Sequence, residues 1–212
     1  MKVLEIHAAI QGEGRASGVP CVIVRFAGCP YRCAWCDTAW ARDAEGEEAS
    51  AAEVARRASA FGIPRFLLTG GEPLLQEELP DLIRVLIEGG GEVLVETCGA
   101  LPVDRIDPRA VKIMDIKCPS SGESERVLWS NLDRLGGADE IKFVLANRAD
   151  YDWAKGIVAA RLGGFPGAVL FSPVHGRLPA ERLAGWILED RLLVRLHLQL
   201  HRILWPDRER GV

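Results

Sequence analysis

The sequence contains no run approaching the roughly 20 continuous apolar residues that a membrane span requires. It also lacks a basic block, an internal repeat and any low-complexity tract. The first absence predicts no membrane segment. The second, with a formal net charge of −4, gives no electrostatic footprint for a nucleic-acid partner. The start, Met1-Lys2-Val3-Leu4-Glu5, carries an early acid and no long apolar segment, so it does not read as a secretory signal. A cytoplasmic protein with reduced thiols is expected.

What is present suits one α/β domain. The 212 residues are 48% apolar, enough for a sizeable core. Strands are expected at Val3–Ile6, Cys21–Phe26, Arg65–Thr69, Glu92–Glu96, Val111–Ile116, Glu140–Leu145, Ala168–Phe171 and Val194–Leu198. Most are near-continuous apolar runs, as in a parallel sheet covered by helices. Helices are expected at Ala51–Phe61, Gln76–Glu88, Glu125–Leu135, Tyr151–Leu162 and Ala180–Glu189. Ser50 with Glu53 three residues later opens the first as a capping box. The βα rhythm predicts parallel strands with right-handed crossovers, in an open sheet or a partial barrel. Residues 1–206 read as a single domain and 207–212 as a charged tail expected to fray. Ala41–Glu48 and Ser120–Ser124 read as mobile loops.

Six cysteines occur, at 21, 29, 33, 36, 98 and 118. A secreted disulfide framework would be shorter and denser in cysteine. Three within eight residues, Cys29-Pro30-Tyr31-Arg32-Cys33-Ala34-Trp35-Cys36, form C-x3-C-x2-C and read as a metal or cluster site. Thiolates suit iron–sulfur clusters, zinc or Cu(I). Structural zinc usually takes four ligands from paired elements, and no second C-x2-C pair exists. Three thiolates on a four-iron cluster would leave one iron open to a substrate or cosubstrate. The other three cysteines read as small buried hydrophobes.

Polar motifs fall at the carboxyl ends of the expected strands, where ligands of α/β sheets gather. Thr69-Gly70-Gly71-Glu72-Pro73 permits close backbone approach, although on composition it is equally a turn. Asp115-Ile116-Lys117-Cys118-Pro119-Ser120-Ser121-Gly122 offers donors for a carboxylate or ribose, or makes a solvated loop. Ile10-Gln11-Gly12-Glu13-Gly14 could cradle an anion or turn a hairpin. Arg25 lies on a strand, and arginine recognises carboxylates bidentately. On composition alone Thr38 reads as a helix cap, and His197 as a residue on a strand face.

With tryptophan directly before the third cysteine, C-x3-C-x2-C resembles the signature of the radical S-adenosylmethionine superfamily. The resemblance implies a full or partial (βα)6 barrel. It also implies a 4Fe-4S cluster on Cys29, Cys33 and Cys36, with S-adenosyl-L-methionine chelated at the open iron and cleaved to a 5′-deoxyadenosyl radical. Gln-Gly-Glu-Gly upstream, Cys36-Asp37-Thr38, Thr-Gly-Gly-Glu-Pro and the ending His201-Arg202-Ile203-Leu204-Trp205-Pro206 narrow it further. As a set they are similar to the 7-carboxy-7-deazaguanine synthase family of queuosine biosynthesis.

That resemblance implies a lyase converting 6-carboxy-5,6,7,8-tetrahydropterin to 7-carboxy-7-deazaguanine with loss of ammonia. It places Mg2+ at Thr38, the cosubstrate against Trp35, Cys36, Asp37, Gly71, Glu72, Lys117, Ser120 and Ser121, and the pterin against Ile10, Gln11, Gly12, Glu13, Arg25, Thr69 and His201. His175 is expected toward the adenine end. A homodimer and a flavodoxin or ferredoxin as electron donor are implied too. The competing reading is an activating enzyme that makes a glycyl radical on a partner protein, which would share the cluster but not the pterin pocket.

Overall fold

A computed structural model describes all residues, 1–212. Nine strands form one sheet: β1 (Lys2–Ile10), β2 (Pro20–Phe26), β3 (Glu47–Glu48), β4 (Arg65–Gly70), β5 (Glu92–Thr97), β6 (Val111–Lys117), β7 (Glu140–Leu145), β8 (Ala168–Pro173) and β9 (Arg195–Leu196). Their order is β3-β1-β2-β4-β5-β6-β7-β8-β9. From β2 to β9 every neighbour is parallel, each strand adding on the same side of the last. The sheet is therefore wound in one direction and stays open between β3 and β9, a partial barrel.

The expectation of parallel strands fails at one end. β1 pairs antiparallel with β2, His7 opposite Ile23, and β3 pairs antiparallel with β1. The connection between β1 and β2 is too short for the crossover that parallel pairing needs. β3 itself falls in the acidic stretch expected to be a mobile loop.

Four longer helices cover the outer face: α1 (Ala51–Ser59), α2 (Leu79–Glu88), α3 (Arg148–Arg161) and α4 (Ala180–Glu189), followed by the short α5 (Leu200–Leu204). The Ser50 side chain accepts from Glu53 N–H at 3.3 Å, as the capping box predicts. α2 starts three residues later than expected, with Pro80 in its first turn. The intervening Gln76 is a buried clamp, accepting from Lys2 N–H at 2.9 Å and donating to the Ala27 carbonyl at 3.0 Å. No α-helix forms over Glu125–Leu135. Two 3-10 segments, Ser124–Arg126 and Trp129–Arg134, stand there. Long-range bonds have taken the polar groups: Leu128 N–H donates to the Gly99 carbonyl at 2.9 Å, and Asn131 bonds Val103 N–H and the Leu101 carbonyl.

Strand periodicity sorts side chains between two environments. On β2, Val22, Val24 and Phe26 join the main core under the helices, as do Phe66 and Leu68 on β4, Val93 and Val95 on β5, and Ile141 and Phe143 on β7. The alternate residues, Ile23, Arg25, Leu67, Thr69, Glu96, Asp115, Lys117 and Lys142, face a cavity on the concave side. A small apolar cluster of Cys21, Ile23, Leu67, Leu94 and Ile113 floors that side, and the polar residues lie farther along each strand. No helix is long and apolar enough to cross a membrane.

Candidate active site

The cavity encloses about 450 Å³, within the size range of small-molecule sites. One wall is the cysteine loop. Its turns are fixed by Ala34 N–H on the Ser121 carbonyl at 3.0 Å, Cys36 N–H on the Cys33 carbonyl at 3.3 Å, and Arg32 N–H on the Glu123 carboxylate at 2.6 Å. The β4 end packs directly against this loop. Gly71 N–H donates to the Phe26 carbonyl at 2.9 Å, and Glu72 N–H to the Gly28 carbonyl at 2.7 Å. A Cβ on Gly71 would lie 1.8 Å from the Gly28 oxygen, and one on Gly70 2.3 Å from Phe26 backbone atoms, at φ +132°. Only glycines fit both positions.

Cys29, Cys33 and Cys36 are free thiols lining this cavity. Three soft sulfur donors on one loop, with no fourth thiol on that loop, fit a cluster with one open iron. Cys21 and Cys118 are buried outside the cavity. Cys98 does line it, and its side chain, hydrogen-bonded to Cys29, lowers the Cys29 thiol to about 7. Burial raises Cys33 to about 11 and also raises Cys36.

The opposite wall is a chain of alternating charges. Glu13 pairs with the buried Lys142 ammonium and accepts from Gln199 Nε2 at 2.7 Å. Lys142 Nζ lies 3.5 Å from Asp115, which also holds Lys117 Nζ at 2.8 Å. Burial alone would raise the Glu13 carboxyl, but the Lys142 charge and hydrogen bond hold it at about 2. Asp37 likewise stays below the usual carboxylate range: burial opposes this, while His201, 3.7 Å away, and the Lys142 charge favour it. Glu96 is shifted the other way, raised by burial, with Thr69 Oγ1 donating to it at 2.8 Å. Burial also lowers His197. Glu13, Asp37 and His201 offer ligand atoms within 4.8 Å of one another, and Thr38 Oγ1 donates to Asp37 at 3.1 Å.

Ile10, Gln11, Gly12, Glu13, Arg25, Thr69 and His201 all line the cavity, as do Trp35, Asp37, Thr38, Gly71 and Lys117. Gly12 lies against His201, where a Cβ would come 2.4 Å from Nδ1, and Leu200 N–H donates to the Gly12 carbonyl at 2.9 Å. His175 lines the cavity together with Arg177, whose guanidinium sits 5.5 Å from the Trp35 ring.

Three expected cosubstrate residues stand outside. Glu72 is fully buried, its carboxylate accepting from Leu74 N–H at 3.0 Å, Thr97 Oγ1 at 3.0 Å and Cys98 N–H at 2.7 Å. It clamps two strand ends, and its carboxylate is closed off from the cavity. Ser120 donates its hydroxyl and N–H to Asp150. The buried Ser121 hydroxyl accepts from Glu123 N–H at 3.1 Å, so Ser121 and Glu123 buttress the cysteine loop from behind. The tail differs as well. Gly211 N–H reaches the Glu5 carboxylate at 3.3 Å, Arg210 lies 4.1 Å over Trp40, and Arg208, Glu209 and Val212 line the cavity.

Glu96, Asp115, Lys142 and Gln199 were not picked out as site residues by sequence. The first three carry a charge at the cavity-facing parity of their strands, as Arg25 does. Gln199 follows no strand pattern and is placed by tertiary contact alone.

Comparison with known proteins agrees with this geometry. The Radical SAM superfamily model matches residues 23–116. A 7-carboxy-7-deazaguanine synthase of Chlorobaculum tepidum is 43% identical, covering 100% of this chain and 97% of its own. One from Koribacter versatilis is 39% identical with 100% of both covered. The crystal structure of QueE from Escherichia coli superposes with a TM-score of 0.77 at 25% identity over 94% of each chain. Streptococcus suis SuiB bound to precursor peptide SuiA gives a TM-score of 0.63 at 11% identity, covering 83% of this chain and 47% of that one, a likeness of fold.

Proposed function

The chain belongs to the 7-carboxy-7-deazaguanine synthase family of the radical SAM superfamily, and from that membership we propose how its own residues divide the work. It is a lyase of queuosine biosynthesis, taking 6-carboxy-5,6,7,8-tetrahydropterin to 7-carboxy-7-deazaguanine with loss of ammonia. The observation that carries the assignment is the meeting, in one cavity, of a three-thiolate loop with Gln11, Glu13, Arg25 and Thr69.

The 4Fe-4S cluster and S-adenosyl-L-methionine supply a carbon-centred radical when bound. Cys29, Cys33 and Cys36 hold the cluster, while Trp35, Asp37, Gly71 and Lys117 border the cosubstrate. Lys117 brings a positive charge for the methionyl carboxylate. Arg25 lines the cavity with its Nε taken by Glu5 at 2.6 Å, and its guanidinium would hold the pterin carboxylate. The buried Gln11 Nε2 has no acceptor in the protein, which is costly unless a ligand supplies one. Glu13 accepts from the pterin's amino and ring N–H groups. Thr38, whose hydroxyl is a hard oxygen donor, would hold Mg2+ with Asp37 and His201 nearby, and the ion would supply positive charge for the pterin carboxylate. The Thr69–Glu96 pair and the apolar floor of Ile23 and Leu67 keep the deep end ordered and dry. The electron comes from a flavodoxin- or ferredoxin-type carrier in a reducing cytoplasm.

The test is turnover by anaerobically reconstituted protein. With a reductant it should cleave S-adenosylmethionine and convert the carboxytetrahydropterin, faster with Mg2+ than without. Cleavage with no conversion would overturn the substrate, and equal rates without Mg2+ would remove the metal from Thr38.

Assembly as a homodimer is supported by apolar exposure at the open sheet edge. Leu193 is 99% and Leu188 76% exposed, and Leu196, Leu198, Ile203 and Leu204 lie on or near β9 and α5. A patch of this kind marks an interface, and a second copy would cover it. Light scattering should give the mass of two chains; the mass of one would remove the dimer.

A further inference from the structure

Lys142 is a buried cation in the cavity wall that pairs with two carboxylates, Glu13 and Asp115. It is 6% exposed and stands on β7 directly opposite Asp115 on β6. Its ammonium pairs with Glu13 on one side and lies 3.5 Å from Asp115 on the other. Asp115 is itself anchored by Lys117 at 2.8 Å. Glu13 sits on the connection after β1, held at its other oxygen by Gln199 Nε2 at 2.7 Å. A carboxylate on a loop has rotamer freedom that two fixed donors remove, and a strand is a more rigid anchor than a loop.

We propose that Lys142 is a positioning residue for the substrate. It fixes the Glu13 carboxylate at the orientation in which its remaining lone pairs meet the pterin's N–H donors, and Asp115 holds the Lys142 ammonium in place. The inference rests on the carboxytetrahydropterin reading of the cavity. Lys142 acts through Glu13.

The experiment is a double-variant cycle on the reconstituted holoenzyme: wild type, E13Q, K142M and E13Q/K142M. Iron content and the melting temperature are measured with the KM and kcat for 6-carboxy-5,6,7,8-tetrahydropterin. K142M should raise KM roughly 10–100-fold, the loss typical of a removed outer-shell partner, with a much smaller change in kcat. E13Q already replaces one acceptor oxygen with a donating amide, so the carboxylate that Lys142 orients for the pterin is absent from both variants. E13Q/K142M should then match E13Q in KM to within about threefold.

An unchanged KM in K142M overturns the inference, as does a double variant whose loss is the product of the two single losses. K142M leaves Glu13 buried without its counter-charge and can fail to fold. E13Q/K142M buries no such orphan, and its comparison with E13Q alone then decides. A wild type that cleaves S-adenosylmethionine but does not turn over the pterin removes the substrate reading and this inference together. Wild-type turnover with additive variants removes the inference alone.

Discussion

Cys33→Ala is expected to give a folded protein with little bound iron and no detectable cleavage of S-adenosylmethionine, a loss of at least about 10³-fold. Thiolates are the protein's hold on the cluster, and two cannot support three of its irons. Folding should survive, because the Cys33 side chain is half-exposed and packs into no core. What shapes the loop at this residue is its carbonyl, which accepts from Cys36 N–H, and alanine keeps it. Cys118→Ala makes the contrast. That thiol is fully buried in the main core, outside the cavity, so its removal should cost about 1–2 kcal/mol of stability while iron content and cleavage persist. Iron and sulfide analysis, visible absorbance and 5′-deoxyadenosine release separate the two. Full iron in Cys33→Ala, or none in Cys118→Ala, would reverse the assignment of the ligands.

The two cysteines show what made much of the site legible. Ligand spacing on one loop is a local property, and C-x3-C-x2-C displays it without any knowledge of the fold. The parallel strands from β2 to β8 were legible for a similar reason: each is a compact apolar run between helix caps and glycine stops. β1 was expected to end at Ile6 but runs on to Ile10, and the hairpin that the glycines after it offered is what sets it antiparallel to β2. The segment at Glu125–Leu135 has helical spacing, yet its Leu128 N–H is taken by Gly99 and its Asn131 side chain by Leu101 and Val103, partners about 30 residues away. Lys142 lies between Ile141 and Phe143 in what reads as a buried strand. Its meaning appears only when β6 brings Asp115 beside it and the β1 connection brings Glu13 above it. Ser120 and Ser121 misled for the opposite reason. Their composition suits a ligand, but Asp150 and Glu123, distant or turned by a left-handed glycine at 122, had already claimed their hydroxyls.

Glu72 is the sharpest of these cases, and its replacement should be among the most destabilising in the chain. Read from sequence, an acid after two glycines at a strand end points to the cosubstrate's ammonium. In the fold its two oxygens accept from Leu74 N–H, Thr97 Oγ1 and Cys98 N–H, wholly out of water. Glu72→Ala strands two backbone donors and leaves a hydroxyl to find another acceptor. At about 1–3 kcal/mol for each unsatisfied buried donor, the loss is about 4 kcal/mol. For a chain of this length that is a fall of roughly 8–16 °C in melting temperature. Glu72→Gln should fall between: its carbonyl serves Cys98, but its amide then points N–H groups at the N–H of Leu74. A ligand role predicts a different pattern. The melting temperature of Glu72→Gln would stay at the wild-type value, while its affinity for S-adenosylmethionine, measured well below the transition, dropped severalfold. Thermal melts of both variants, paired with cosubstrate binding at low temperature, choose between clamp and ligand. The three accepted bonds and the complete burial favour the clamp, because the carboxylate lies outside the cavity where an ammonium would have to reach it.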